Sequence, residues 1–201
     1  MASTTEIANL ALSNLGVGKE IANLDTEQSE EAASCRRFFE DAKEATLSDM
    51  NWSFATKEAV LNLVEEEPTT EWGYSYRYPV DALLIRRIKS DLRTDTSKSR
   101  VRYIVTKDAT GKLLYTDRQN AEAEYTENVK DPKFFTPEFN LALSYRLSMY
   151  IAPRVTGGDP FELQARMRLL YQEELRQARM TNLNEQVADS APESEFITAR
   201  Y

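Results

Sequence analysis

The chain has 201 residues, with 25 lysines and arginines against 33 aspartates and glutamates, which leaves a net charge of -8. It contains no histidine and one cysteine, so a histidine-based catalytic triad, histidine-ligated zinc and an internal disulfide are excluded. Ten tyrosines, eight phenylalanines and two tryptophans can still build a hydrophobic core.

Two amphipathic helices are predicted at the start of the chain. Residues Ser3 to Glu6 match a capping box, so the first helix should cover residues 4–15, with Gly16 as the left-handed residue beyond its end. A second helix, capped by residues 25–28, should run to about Met50. It carries Cys35, which we expect to be a buried apolar side chain in a reducing compartment.

The hydrophobic period changes from that of a helix to that of a strand after Trp52. Residues Asp108 to Gly111 have the composition of a hairpin turn between two of the predicted strands. The predicted strands are 59–64, 74–78, 83–88, 100–106, 112–116 and 121–128.

Helical patterns return in the last third of the chain. Thr136 followed by Pro137 predicts the start of a third helix, and Asp159 followed by Pro160 predicts the start of a fourth. The predicted fold is α+β: a four-helix antiparallel bundle formed by the N- and C-terminal helix pairs, with a strand-rich insertion between them and an extended C-terminal tail. The bundle would comprise residues 1–52 and 133–188, the insertion 53–132 and the tail 189–201.

A basic segment stands out in this acidic chain. Residues 86–107 contain eight basic side chains and two aspartates, a net charge of +6. The segment is either a docking surface, with a protein partner favoured over nucleic acid, or an outward-facing polar strand surface. The residues proposed for docking are Arg86, Arg87, Lys89, Arg93, Lys98, Arg100 and Arg102.

The end of the chain combines a polar segment with an apolar tip. Residues 190–195 are too polar to form a packed helix, whereas the residues that follow provide anchors suited to a partner's groove or sheet edge. These anchor residues are Phe196, Ile197, Thr198, Ala199, Arg200 and Tyr201.

No sequence motif predicts a catalytic residue, a cofactor site or a metal ligand, because glycine-rich phosphate loops, EF-hand loops and nucleophile elbows do not occur. No segment approaches the roughly 18 apolar residues of a membrane span, so we expect no membrane partner. The net negative charge disfavours sequence-independent binding of nucleic acid.

Several short motifs, in this order, resemble the head-to-tail adaptor proteins of short-tailed bacteriophages, the tail tubular protein A family. The motifs are ANLALSNLG at residues 8–16, Leu24-Asp25, Ala32 and Cys35 in the second helix, NWSFA at 51–55, YPVDAL at 78–83 and FITAR at 196–200.

The resemblance implies a virion structural protein without catalytic activity, located at the head–tail junction and assembled in the host cytoplasm. Such adaptors form a ring, typically of about twelve copies, beneath the portal protein. The helical part would form the ring, the strand-rich part would face the tail nozzle protein, and residues 189–201 would bind the portal. DNA would pass through the lumen without sequence-specific binding, and an acidic lumen would repel its phosphates.

Two other functions remain open at this stage. Some relatives of such adaptors cleave peptidoglycan or capsule, and a hydrolase of this kind would need two carboxylates about 5 to 9 Å apart in a cleft. The sequence does not single out such a pair. A monomeric acidic module that binds a basic bacterial protein is the third possibility.

Overall fold

A computed structural model describes residues 3–90, 100–157 and 159–185 of the chain. Four helices and seven strands follow one another in the order of two helices, seven strands and two helices, with single turns of 3₁₀ helix at Ser53–Ala55 and Pro132–Phe134. The helices are α1 (Thr4–Asn14), α2 (Glu30–Asp49), α3 (Pro137–Val155) and α4 (Pro160–Glu185).

Local capping determines where α1, α3 and α4 begin, and these predictions are confirmed. The Ser3 hydroxyl accepts a hydrogen bond from the Glu6 amide at 3.1 Å, and the Glu6 carboxylate accepts one from the Ser3 amide at 2.7 Å. The Thr136 hydroxyl caps α3. The Asp159 carboxylate accepts from the amides of Phe161 and Glu162 at the start of α4.

The predicted cap of α2 is wrong. The helix begins later, at Glu30, and the Ser29 hydroxyl accepts from the Ala32 amide. The segment before Ser29 is instead held as a turn by Arg36, whose Nη1 donates to the carbonyls of residues 24, 25 and 27. The Asn23 side chain holds the same turn, because it accepts from the amides of Asp25 and Thr26. Cys35 is fully buried, as expected, and burial raises the pKa of its thiol to about 12.

Gly16 ends α1 in a Schellman motif, with a φ of +75°. We expect Gly16→Ala to lower the free energy of unfolding by about 1 kcal/mol, because a Cβ strains the left-handed backbone although no atom lies within 4 Å of it. Gly18 has equal space and no positive φ, so Gly18→Ala is the matched control and should change stability by less than about 0.5 kcal/mol. Urea denaturation measures both, and equal effects would contradict this explanation.

The strands form two antiparallel sheets. The three-stranded sheet has the order β1-β7-β4, and the four-stranded sheet has the order β2-β3-β6-β5. The strands are β1 (Thr56–Val60), β2 (Leu63–Glu66), β3 (Tyr74–Arg77), β4 (Ala82–Ile88), β5 (Tyr103–Lys107), β6 (Lys112–Thr116) and β7 (Glu122–Glu127). The predicted hairpin turn is confirmed, since Lys107 pairs with Lys112 and Asp108 accepts from the amides of Thr110 and Gly111.

Buried side chains from both sheets form one core. Tyr76 and Leu114 come from the four-stranded sheet, and Ile88 and Tyr125 come from the three-stranded sheet. The Tyr103 hydroxyl on β5 donates to the carbonyl of Ile85 on β4 at 3.1 Å. The two sheets are therefore joined by apolar packing and by a hydrogen bond between them.

The predicted four-helix bundle with a strand-rich insertion is wrong, because the helices do not have a bundle arrangement. Helix α3 is central, because α1, α2 and α4 each pack mainly against it. In a four-helix bundle, each helix would instead bury its apolar stripe against two neighbouring helices. Small residues on α3 let α1 approach closely. The Ser148 hydroxyl donates to the Ala11 carbonyl at 2.9 Å, and the Asn14 amide group donates to the Ser144 hydroxyl at 3.1 Å.

The strand-rich part also contacts the helices. Ala55 and Val129, which flank strands, and Phe135, which precedes α3, are buried in the helical core. Strand β4 lies against α2. The alternating pattern indicated six strands, of which 59–64 spans the end of β1 and the start of β2, and it carried no information about the contact with α2.

Candidate functional site

The basic segment lies mainly on β4 and β5. Of the residues predicted to dock a partner, Arg93 and Lys98 lie outside the described residues. Of the other five, Arg86 and Arg87 lie on β4, Lys89 follows it, and Arg100 and Arg102 precede β5. Their partners decide how much of the positive charge is available at the surface.

Arg86 connects β4 to the end of α2. Its Nη2 donates to the carbonyl oxygens of Leu47, Ser48 and Met50 at 3.3, 3.2 and 2.7 Å, and its Nε donates to the Thr126 hydroxyl at 2.7 Å. Burial lowers the pKa of this guanidinium. A cation at a helix C-terminus also interacts favourably with the helix dipole. The position therefore gives Arg86 a structural role.

Arg87 and Lys89 pair with acidic residues on β7 and β1. Arg87 binds Glu124 at 2.7 Å. Lys89 donates to Glu58 and, at 3.2 Å, to Glu122, and the hydrogen bond that it donates to Glu58 raises the pKa of its ammonium. These cross-strand pairs neutralise part of the charge that the sequence suggested was available for docking.

The basic residues near β5 are more exposed. Arg102 donates to Asp117 at 2.7 Å and stacks over the Trp72 ring at 4.5 Å, yet about 60% of its side chain remains exposed. Arg100 and Lys107 are also exposed. The accessible part of the basic segment is thus the β5 side of the four-stranded sheet.

The predicted anchor residues of the C-terminal tail, 196–201, lie outside the described residues. Portal binding by this tail stays a prediction.

An apolar groove lies between α3 and α4 and was not predicted. It has a volume of about 560 Å³ and is lined mainly by Met149, Tyr150, Phe161, Ala165 and Leu169. Phe161 is 75% exposed and Leu169 is 67% exposed. Phe161, Ala165 and Leu169 recur at intervals of four residues and lie off the buried stripe of α4. This spacing is the sequence signal for the groove.

The groove continues into a basic cavity of about 380 Å³, to which Arg146, Arg168 and Arg179 contribute. Arg146 binds Asp49 at 3.0 Å and lies over the Tyr171 ring at 4.7 Å. The Tyr171 hydroxyl donates to the same Asp49 oxygen at 2.8 Å, and burial raises the pKa of this phenol. These contacts join the end of α2 to α3 and α4.

Apolar side chains are also exposed on both edge strands of the four-stranded sheet. Leu63 and Val64 on β2 are 50% and 46% exposed, and Ile104 and Val105 on β5 are 49% and 43% exposed. Exposed apolar residues on sheet edges are a common feature of strand-pairing interfaces.

The described cavities do not bring two carboxylates together. The groove has none, the basic cavity has Asp49, and a third cavity of about 580 Å³ beside the start of α2 has Glu30. The adjacent Glu173 and Glu174 differ in pKa. Arg176 lowers the pKa of Glu173 to about 2, and burial raises the pKa of Glu174. Neither residue lines these three cavities. None of the three thus offers the pair that glycan hydrolysis requires.

Within residues 3–90, 100–157 and 159–185, no group of three or more acidic or cysteine side chains is placed to hold a metal ion. No helix in the same ranges combines the length and apolar character of a membrane span. Comparison of the chain with protein-family models and with curated proteins finds no match.

Proposed function

We propose that the protein is a head-to-tail adaptor of a short-tailed bacteriophage, which forms a ring of about twelve copies between the portal protein and the tail nozzle and passes DNA through its lumen. The sequence motifs that resemble the tail tubular protein A family provide the identity of the partners. The strand-rich part would face the nozzle, and the tail would bind the portal.

The observation that carries the proposal is the α3–α4 groove. Phe161 and Leu169 expose large apolar surfaces next to a basic cavity, on the longest helix among the residues that the structure describes. Contiguous apolar surface of this kind is typical of protein–protein interfaces. It supports a role in which the chain functions as part of an assembly.

Removal of the tail tests the portal-binding step. We expect a chain that ends at Val187 to unfold at the same temperature as the full chain and to lose binding to the portal protein of the same phage, measured by co-sedimentation. The reason is that the removed residues are proposed to supply partner anchors, and every core residue that the structure describes precedes them in the sequence.

A full-length variant with Phe196→Ser and Ile197→Ser is the matched control, because it keeps the length of the tail and removes its apolar anchors. It should lose binding as the shortened chain does. Retained binding by the shortened chain would show that the tail is not the portal anchor. A full-length chain that never joins the portal would refute the adaptor function.

A further inference from the structure

We propose that the two edges of the four-stranded sheet bind each other between neighbouring copies, with β2 of one copy beside β5 of the next. The sheet would then continue from chain to chain around the assembly. This inference rests on the proposed ring and deepens it, since it names a pair of surfaces through which adjacent copies contact each other.

Both edges have free backbone groups and apolar side chains in the part of the chain that the structure describes. There, β2 pairs only with β3, and β5 pairs only with β6. All four residues of β2 are exposed. Unpaired edge strands with exposed apolar residues are templates for pairing with another chain.

The directions of the strands fix how such a pair would form. Each neighbouring pair in the sheet is antiparallel, so β2 and β5 run in opposite directions within one copy. A copy related by rotation about a ring axis, and continuing the same sheet, places its β5 antiparallel to β2. Antiparallel pairing would oppose Leu63 and Val64 to the apolar centre of β5.

Charge favours this orientation. In an antiparallel pair, the end of β2 that carries Glu65 and Glu66 meets the start of β5, which follows Arg100. These three residues are exposed. Opposite charges on facing strands stabilise a sheet, and like charges destabilise it.

The acidic β2 edge is complementary to the β5 edge and not to a second β2 edge. Two β2 strands paired antiparallel would set Glu65 and Glu66 against Val64 and Leu63, whereas no acidic residue occurs within β5. A contact between two different surfaces is heterologous and repeats head to tail, and such contacts close into a ring when the rotation allows it. The glutamates of β2 therefore disfavour pairing between two β2 strands and favour pairing of β2 with β5.

Disulfide capture tests the contact. In a Cys35→Ala background, one chain carries Val64→Cys and a second chain carries Val105→Cys. The two chains are mixed with the portal protein and oxidised gently. We expect at least about tenfold more linked heterodimer than in the control mixture of Val80→Cys with Val105→Cys, because paired edges hold the two thiols at high effective concentration. Val80 is a fully exposed valine outside the strands.

A second variant tests the charge argument. Glu66→Lys in the Val64→Cys chain makes both edges basic and should lower the yield of heterodimer at least about threefold, whereas Glu20→Lys, in the exposed loop after α1, should not.

Heterodimer at the control level, together with rings on the portal, would overturn the edge contact and leave the adaptor function standing. A dominant link between two chains that both carry Val64→Cys would also overturn it, since that product requires β2 to pair with β2. Failure of the unmodified chain to join the portal would instead count against the adaptor function.

Discussion

Phe139→Ala should lower the free energy of unfolding by about 4 kcal/mol, the largest effect that we expect for a single substitution. Phe139 is fully buried at the start of α3. Its ring centroid lies 5.0 Å from that of Trp52, 5.1 Å from that of Phe54 and 4.7 Å from that of Phe135. The substitution removes both the buried area and these edge-to-face contacts. Urea denaturation followed by circular dichroism measures the loss.

Phe161→Ala is the matched control because it is the same change at a site that is 75% exposed. We expect it to change the free energy of unfolding by less than about 0.5 kcal/mol. It should instead weaken assembly with the portal, since Phe161 lines the α3–α4 groove. Equal destabilisation by the two substitutions would contradict the assignment of Phe139 to the core and of Phe161 to an interface.

Arg86→Ala should lower the free energy of unfolding by about 2 to 3 kcal/mol. The substitution removes four hydrogen bonds and leaves the last carbonyls of α2 without their cationic donor. It also removes a link between the strands and the helices. Thermal and urea unfolding measure the effect.

Arg176→Ala is the control for Arg86→Ala, because Arg176 pairs with Glu173 at 2.7 Å on the exposed side of α4. An exposed ion pair contributes little, so we expect a loss of less than about 1 kcal/mol. If Arg176→Ala proved as costly as Arg86→Ala, the structural role given to Arg86 would be wrong.

Elements defined by nearby residues could be predicted from the sequence. The capping box at Ser3, the proline after Thr136 and the turn at Asp108 all act through hydrogen bonds or backbone angles within a few residues. The cap of α2 was assigned to the wrong residues. Ser29 makes the same kind of local bond, to the Ala32 amide, and the residues predicted to cap the helix form a turn held by Asn23 and Arg36.

The arrangement of the helices could not be predicted from the hydrophobic pattern. An apolar stripe shows that one side of a helix is buried, but it does not identify the helix that covers it. The central position of α3 depends on small side chains such as Ser144 and Ser148, which lie against α1 and whose spacing is compatible with several packings.

The partners of the candidate docking residues could not be predicted from the sequence either. The sequence revealed the excess of basic residues between 86 and 107 but not their partners, because Glu58, Glu122 and Glu124 lie on strands distant along the chain. The alternation on β4 shows two faces, and it does not indicate that Arg86 binds the end of α2.

Native mass spectrometry of the full-length chain mixed with the portal protein of the same phage tests the central proposal most directly. We expect one complex in which a closed ring of about twelve copies of this chain is added to the portal ring. A spectrum that contains only the portal ring and the separate chain, at concentrations where both proteins are folded, would contradict the proposal that this protein is an adaptor.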